Sequence, residues 1–139
     1  MKTQTEIKKL RPSLALIAIF SLCAAASAQA GFNSFRPVGI TFGQTARVTA
    51  ANTGTRAIII DYSVLDTEGA VLAQLVGQVI EPGKMTSFDL NADDVVREGE
   101  RIQIRVVISG DNLRRLLTST EVFENDTGKT TVFIGDPGL

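Results

Sequence analysis

Apolar and polar residues alternate along most of the chain after residue 37, with the period of two expected of half-buried β-strands. In RIQIRVVIS, residues 101–109, Ile or Val occupies every even position, and most odd positions are polar. In AIIIDYSVLD, residues 57–66, the even positions from 58 to 64 are apolar and include Tyr62. The pattern predicts eight strands, near residues 38–42, 45–51, 57–66, 70–80, 85–90, 101–109, 117–124 and 129–134.

Turn-forming residues separate these segments at intervals of about ten residues. Residues 66–69 (DTEG) and 125–128 (NDTG) place Gly where a hairpin loop needs a positive φ angle. Residues 81–84 (EPGK) have the Pro-Gly centre of a type II turn. Short strands at this spacing predict an all-β fold, an immunoglobulin-like antiparallel β-sandwich of seven or eight strands. A small β-barrel is the alternative, because strand number alone does not decide whether a sheet closes.

The N-terminal segment has the features of a secretory signal peptide. Lys8, Lys9 and Arg11 precede the thirteen-residue, nearly all apolar run LALIAIFSLCAAA, and two A-x-A cleavage signals end at Ala28 and Ala30. The run is shorter than the roughly 20 residues that a membrane span needs, which disfavours an uncleaved anchor. We therefore expect residues 1–30 to be removed and the protein to be secreted or periplasmic, without an integral membrane span. Residues 31–37 would form an N-terminal extension, and residues 38–139 the sandwich domain.

Charge and residue types exclude several classes of function. Without residues 1–30 the chain keeps ten basic and fourteen acidic side chains, a net charge of −4, which disfavours nucleic acid as a partner. The chain contains no His, and its one Cys, Cys23, lies in the predicted signal peptide. These absences exclude histidine-based triads, cysteine–histidine dyads and zinc sites. We expect no catalytic residue, no metal ligand and no cofactor.

The segment SFDLNADDVVREGERI resembles the start of a calcium loop, because Asp89, Asn91 and Asp93 are followed by Glu100, eleven residues after Asp89. Position six of an EF-hand loop should be Gly, but it is Asp94, and the flanks have the pattern of strands. Asn91 instead suits the cap of a single helical turn. A calcium-dependent exported protein, or a hydrolase that uses Asp89, Asp93 and Glu100, is the alternative.

Three further features bear on contacts with other molecules. Tyr62 and most Phe residues suit packing in the core or at its edge. In AVLAQLVGQVI, residues 70–80, apolar residues would occupy both faces of one strand, Val71, Leu75 and Val79 on one and Leu72, Val76 and Ile80 on the other. Such a strand is either partly covered by a neighbouring loop or forms an interface with a protein partner or a second copy. Asn125 begins a glycosylation sequon, NDT, but a hairpin turn also accounts for it.

Several of these segments, among them GITFGQTARVTAANTG, EPGKMTSFDLNADD and EVFENDTGKTTVF, resemble a group of small exported bacterial proteins that have a signal peptide and one sandwich domain. The resemblance covers nearly all of residues 38–134. It implies the fold, the compartment and a bacterial source, and it transfers no functional residue. The sequence therefore favours an exported non-catalytic binding or structural module that contacts proteins through its strand edges and end loops.

Overall fold

The computed structural model describes residues 31–135, so the predicted signal peptide and residues 136–139 lie outside the described residues. Nine strands and two short 3-10 turns make up the described chain. They are β1 (Gly31–Ser34), β2 (Val38–Thr41), β3 (Gln44–Asn52), β4 (Ile58–Leu65), β5 (Val71–Ile80), β6 (Met85–Asn91), a 3-10 turn (Ala92–Asp94), β7 (Arg101–Gly110), a second 3-10 turn (Leu113–Arg115), β8 (Leu116–Glu124) and β9 (Thr130–Gly135). Among these residues, no helix is long and apolar enough to cross a bilayer.

The strands form two antiparallel sheets. One sheet has the order β1-β7-β4-β5, with β2 paired to the other half of β7, and the second has the order β6-β3-β8-β9. Within residues 31–135 no ladder joins the two sheets, so the domain is a sandwich and not a closed barrel. The predicted all-β sandwich is confirmed, and all eight predicted strands are present.

The ninth strand, β1, lies within the predicted N-terminal extension. Its four residues pair with Val107–Gly110 at the end of β7, and the amide of Phe35 donates to the carbonyl of Val106. Pattern alone did not reveal this strand because Gly31–Ser34 is mostly exposed and lacks apolar alternation. β7 is ten residues long and β2 covers only four of them, so the rest of its edge has backbone groups available for pairing.

The core is built from the inward faces that alternation predicted. In β4 and β7 the even-numbered side chains point inward, and the charged or polar positions of β7 point to solvent. The fully buried large side chains are Ile40, Val48, Asn52, Ile60, Tyr62, Val64, Ile80, Ile104, Val106, Ile108, Thr120 and Val122. Burial of this apolar surface is the main stabilising contribution, because no disulfide links the described residues.

The prediction of strict alternation along β5 was wrong. Leu72, Leu75 and Ile80 pack toward the core, while Val71, Val76 and Val79 face solvent. The cause is two irregularities in the ladder with β4, one opposite Asp61 and one between Val64 and Leu65. At the first, Gly77 has φ +71° and its amide donates to Asp61 Oδ1 at 2.7 Å. Each extra residue reverses the side-chain faces that follow it.

Two buried hydroxyl groups in the core have no hydrogen-bond partner among residues 31–135. They belong to Thr118 and Thr120, on the inward face of β8 opposite Ala50 and Val48. A buried hydroxyl without a partner costs free energy relative to an apolar group of the same shape. These two hydroxyl groups therefore make the sandwich less stable than apolar side chains of the same shape would at these positions.

Candidate functional site

The residues that resembled a calcium loop form a capped turn, as the sequence predicted. Asn91 precedes the 3-10 turn Ala92–Asp94, and its side-chain oxygen accepts a hydrogen bond from the amide of Asp93 at 3.1 Å. Val95 and Val96 are half-buried against the core. Gly99, with φ +83°, then reverses the chain toward β7.

Asp93 has a further structural contact that local sequence did not predict. Its Oδ1 accepts from the amide of Gly43 at 2.5 Å, in the turn between β2 and β3. Asn125 Nδ2 donates to Asn91 Oδ1 at 3.1 Å and to Asp93 Oδ2 at 3.4 Å, and Thr45 Oγ1 donates to Asn125 Oδ1 at 2.6 Å. We call these five residues the polar junction. The amide nitrogen of Asn125 that the sequon would glycosylate is thus engaged within the protein.

The other two carboxylates of the stretch lie in separate contacts. Asp89 forms a bidentate ion pair with Arg47, with distances of 2.8 and 2.7 Å, and this hydrogen bond raises the pKa of the Arg47 guanidinium. The same guanidinium lies over the ring of Phe123. Glu100 accepts from the amide of Arg97. Among residues 31–135 no three acidic, His or Cys side chains are grouped so that they could hold a metal ion.

The single Tyr of the chain is a core residue. Tyr62 is fully buried, stacks on Phe88 with ring centroids 5.8 Å apart and donates its hydroxyl to the carbonyl of Thr86 at 3.2 Å. Burial raises the pKa of Tyr62 to about 12. Phe133 was expected to pack at the core or its edge, but it is 67% exposed on β9, an edge strand. Phe32 is also exposed, on the outer side of β1.

A group of exposed apolar side chains lies on β4 and β5, and we call it the β5 surface. Its members are Ile59, Val71, Val76 and Val79, each 57–61% exposed. Ile59 and Val79 are directly opposite each other in the ladder. β5 is the outermost strand of its sheet, so its outer backbone groups have no strand partner within residues 31–135. No loop of the described chain covers these side chains, although cover by a neighbouring loop was one of the two alternatives for this strand.

At the end of the sandwich opposite the polar junction lies an open cavity of about 310 Å³, which we call the end cleft. It is lined by residues 53–58, Asn112 and Arg115. These two loops are brought together by the pairing of β3 with β8, in which Asn52 lies opposite Leu116. Thr53 donates both its amide and its hydroxyl to the carbonyl of Arg115, each at 2.8 Å.

The side chain of Asn52 fixes the loop of residues 53–58, which lines the end cleft. Its side chain is buried and makes three hydrogen bonds: Nδ2 donates to the carbonyls of Arg56 (2.7 Å) and Ile80 (2.8 Å), and Oδ1 accepts from the amide of Gly54 (2.8 Å). Its backbone also pairs with the turn formed by residues 81–84. The predicted strand over residues 45–51 ends directly before residues 52–54, and the sequence indicated no further role for them. An Asn directly after an apolar alternating segment was the one available signal.

The comparisons with known proteins returned no match, either to a family model, to a curated protein or to a solved structure.

Proposed function

We propose that this protein is an exported, non-catalytic binding module that contacts a partner protein through the β5 surface and the loops at the end of the sandwich. The observation that carries the proposal is the exposure of four large apolar side chains on two adjacent strands beside an unpaired edge. Single exposed apolar residues are common on soluble domains. Grouping of such residues at one edge is typical of an interaction surface.

The residue inventory supports a non-catalytic role. The chain has no His, and the sandwich has no Cys. Two carboxylates of the most acidic segment serve structural contacts, since Asp89 pairs with Arg47 and Asp93 accepts from Gly43. General acid–base catalysis needs a titratable group that is free to exchange a proton with a substrate.

Export is proposed from the N-terminal sequence and from the resemblance to small exported bacterial proteins. The basic start, the short apolar run and the A-x-A signals favour cleavage after Ala28 or Ala30. Expression of the full-length chain in a bacterial host, followed by mass spectrometry of the recovered protein, tests this directly. We expect an N-terminus at Gln29 or Gly31. An intact chain that starts at Met1 in the membrane fraction would contradict export by cleavage.

The contact surface is tested by site-specific photo-crosslinking in the cell envelope. A photoreactive residue is introduced at Val76 or Val79, and at Leu117 as the control. Leu117 is also an exposed apolar residue on a strand, but it lies on the other sheet. We expect a discrete adduct from Val76 and Val79 and none from Leu117. Equal labelling from all three positions would contradict the proposal, and so would an adduct that contains only two copies of this chain.

A further inference from the structure

We propose that the end cleft is a binding site for an oxyanion, a carboxylate or phosphate group, held by the guanidinium groups of Arg56 and Arg115. This site is separate from the β5 surface, and the inference does not depend on that surface. It follows from the unpaired charges of the cleft, its fixed backbone, its size and its contrast with the rest of the domain.

The two arginines that line the cleft have no partner within the described chain. The one ion pair among residues 31–135 joins Arg47 to Asp89, and neither Arg56 nor Arg115 donates a side-chain hydrogen bond there. A guanidinium presents a planar fork of donors that matches a carboxylate or a phosphate in a bidentate geometry. Two arginines that line one cavity are suited to an anion with several oxygen atoms.

The backbone that carries these arginines is fixed before any ligand arrives. Asn52 holds the carbonyl of Arg56, and Thr53 holds the carbonyl of Arg115 with two hydrogen bonds. The aliphatic stem of Arg115 lies against Gly54, where a side chain would come within 3.3 Å of its Cβ. Preorganisation of this kind lowers the entropic cost of binding.

The cavity has the size and the polar groups that a small anionic moiety requires. Its volume of about 310 Å³ lies at the lower end of the range for ligand sites. Asn112 also lines it, in a left-handed conformation (φ 58°, ψ 34°), and its side chain does not cap the turn that follows. Its carboxamide is thus available as a further donor beside the arginines.

The end cleft differs from the rest of the domain in the sign of its charged residues. Without residues 1–30 the chain carries a net charge of −4, yet no Asp or Glu lines the cleft. Asp111 directly precedes Asn112 but is not part of the lining. A local positive potential on a negatively charged domain directs an anion toward this end.

The test is a titration of the exported protein at low ionic strength, monitored by two-dimensional ¹⁵N NMR. Three probes distinguish the sources of the oxyanion: inorganic phosphate, a short neutral peptide with a free C-terminal carboxylate, and the same peptide with an amidated C-terminus. We expect saturable shifts of the backbone amides in residues 53–58 and 112–116 with phosphate or with the free peptide. The amidated peptide should leave these amides unchanged.

Variants Arg56→Gln and Arg115→Gln keep most of the aliphatic stem and remove the charge. Loss of one charge-assisted contact should weaken binding about tenfold. Arg114→Gln is the matched control, because it removes the same charge one residue away and Arg114 does not line the cleft. The affinity of the Arg114→Gln variant for each probe should stay within about twofold of that of the unmodified protein, since exposed charges outside the site are screened.

Two results would overturn the inference. One is a chemical shift change that does not saturate, or that appears at the backbone amides of all the arginines of the domain with every probe. The other is an equal loss of affinity in Arg114→Gln and Arg115→Gln, which would indicate general attraction and not a site. Melting temperatures of all variants within about 2 °C of the unmodified protein would establish that any lost binding does not come from unfolding.

Discussion

The two ends of the sandwich use their polar residues in opposite ways. At the polar junction, Asp93 accepts from Gly43, and Asn125 bridges Asn91, Asp93 and Thr45. These polar groups satisfy one another. At the end cleft, Asn52 holds the loop through buried hydrogen bonds, and Arg56 and Arg115 line an open cavity without an ion pair in the described chain.

The comparison indicates which charged side chains of the domain are available to bind another molecule. The acidic segment is the most conspicuous polar feature of the sequence, and three of its carboxylates, those of Asp89, Asp93 and Glu100, accept hydrogen bonds within the domain. The arginines of the cleft are inconspicuous in sequence, since they lie in two loops about sixty residues apart.

The largest effect is expected for Asn52→Ala. The substitution removes three hydrogen bonds from a buried side chain and leaves buried backbone carbonyls unpaired, so it should lower the free energy of unfolding by about 3 kcal/mol. Urea denaturation measures the change. Asn112→Gly is the control, because Gly suits the left-handed conformation there, and it should change stability by less than about 0.5 kcal/mol. Equal stability of both variants would show that Asn52 does not fix the loop.

A second prediction concerns Tyr62, between the two ends. Its folded pKa of about 12 exceeds the unfolded value of about 10, so the folded state retains the phenolic proton as pH rises. The stabilisation is therefore full below pH 10 and is lost between about pH 10 and 12, by about 2.5 kcal/mol in total. Urea denaturation across this pH range measures the loss, which should be smaller in Tyr62→Phe. If the free energy of unfolding of Tyr62→Phe fell with pH as steeply as that of the unmodified protein, the assignment to Tyr62 would be contradicted.

At the polar junction, Asp93→Ala and Asp94→Ala form a matched pair. Asp93 accepts from Gly43 and Asn125, whereas Asp94, its exposed neighbour in the same 3-10 turn, accepts no side-chain hydrogen bond in the described chain. We expect Asp93→Ala to cost about 1.5 kcal/mol and Asp94→Ala less than about 0.5 kcal/mol. Thermal melting distinguishes them. The structural role of the junction would be refuted by equal losses.

A smaller effect of opposite sign is expected in the core. Thr120→Val replaces a buried hydroxyl that has no partner with a methyl group of similar size, and should raise stability by about 0.5–1 kcal/mol. Thr45→Val is the contrast, because the hydroxyl of Thr45 donates to Asn125, and it should lower stability by about 1 kcal/mol. Denaturant unfolding measures both changes. Changes of the same sign would contradict this distinction.

The smallest effect is expected from calcium. Because Asp89, Asp93 and Glu100 each have a different protein partner, millimolar calcium should leave the melting temperature unchanged, as should a chelator. Magnesium at the same concentration controls for ionic strength. A calcium-specific rise of several degrees would favour the calcium-dependent alternative and would require the acidic segment to rearrange.

The fold was predictable from the sequence to the extent that it depends on local pattern. Period-two alternation located eight strands, and Asn91 was identified as a cap because its role depends on residues next to it. β1 was not predictable, since its pairing with β7 depends on a free edge and not on its own composition. The bulge at Gly77 was missed because a Gly within an apolar run does not indicate which side chains it redirects.

The two proposed contact sites were less predictable for the same reason. The end cleft requires Thr53 to meet Arg115, an approach that only the pairing of β3 with β8 creates. The β5 surface was anticipated as an apolar strand, but its exposed members were assigned correctly only once the ladder was known. Sequence pattern therefore located the surface, and tertiary pairing determined which residues belong to it.

The irregular ladder of β5 also has a consequence for how copies of this protein behave together. An added strand must match the spacing of amides and carbonyls on its neighbour over several residues, and the two bulges interrupt that spacing near Gly77 and near Leu72. The bulges therefore disfavour regular pairing of a second copy along the whole length of the β5 edge. The β5 edge is thus a poor template for an added strand, so a partner of the β5 surface would bind mainly through the valine side chains.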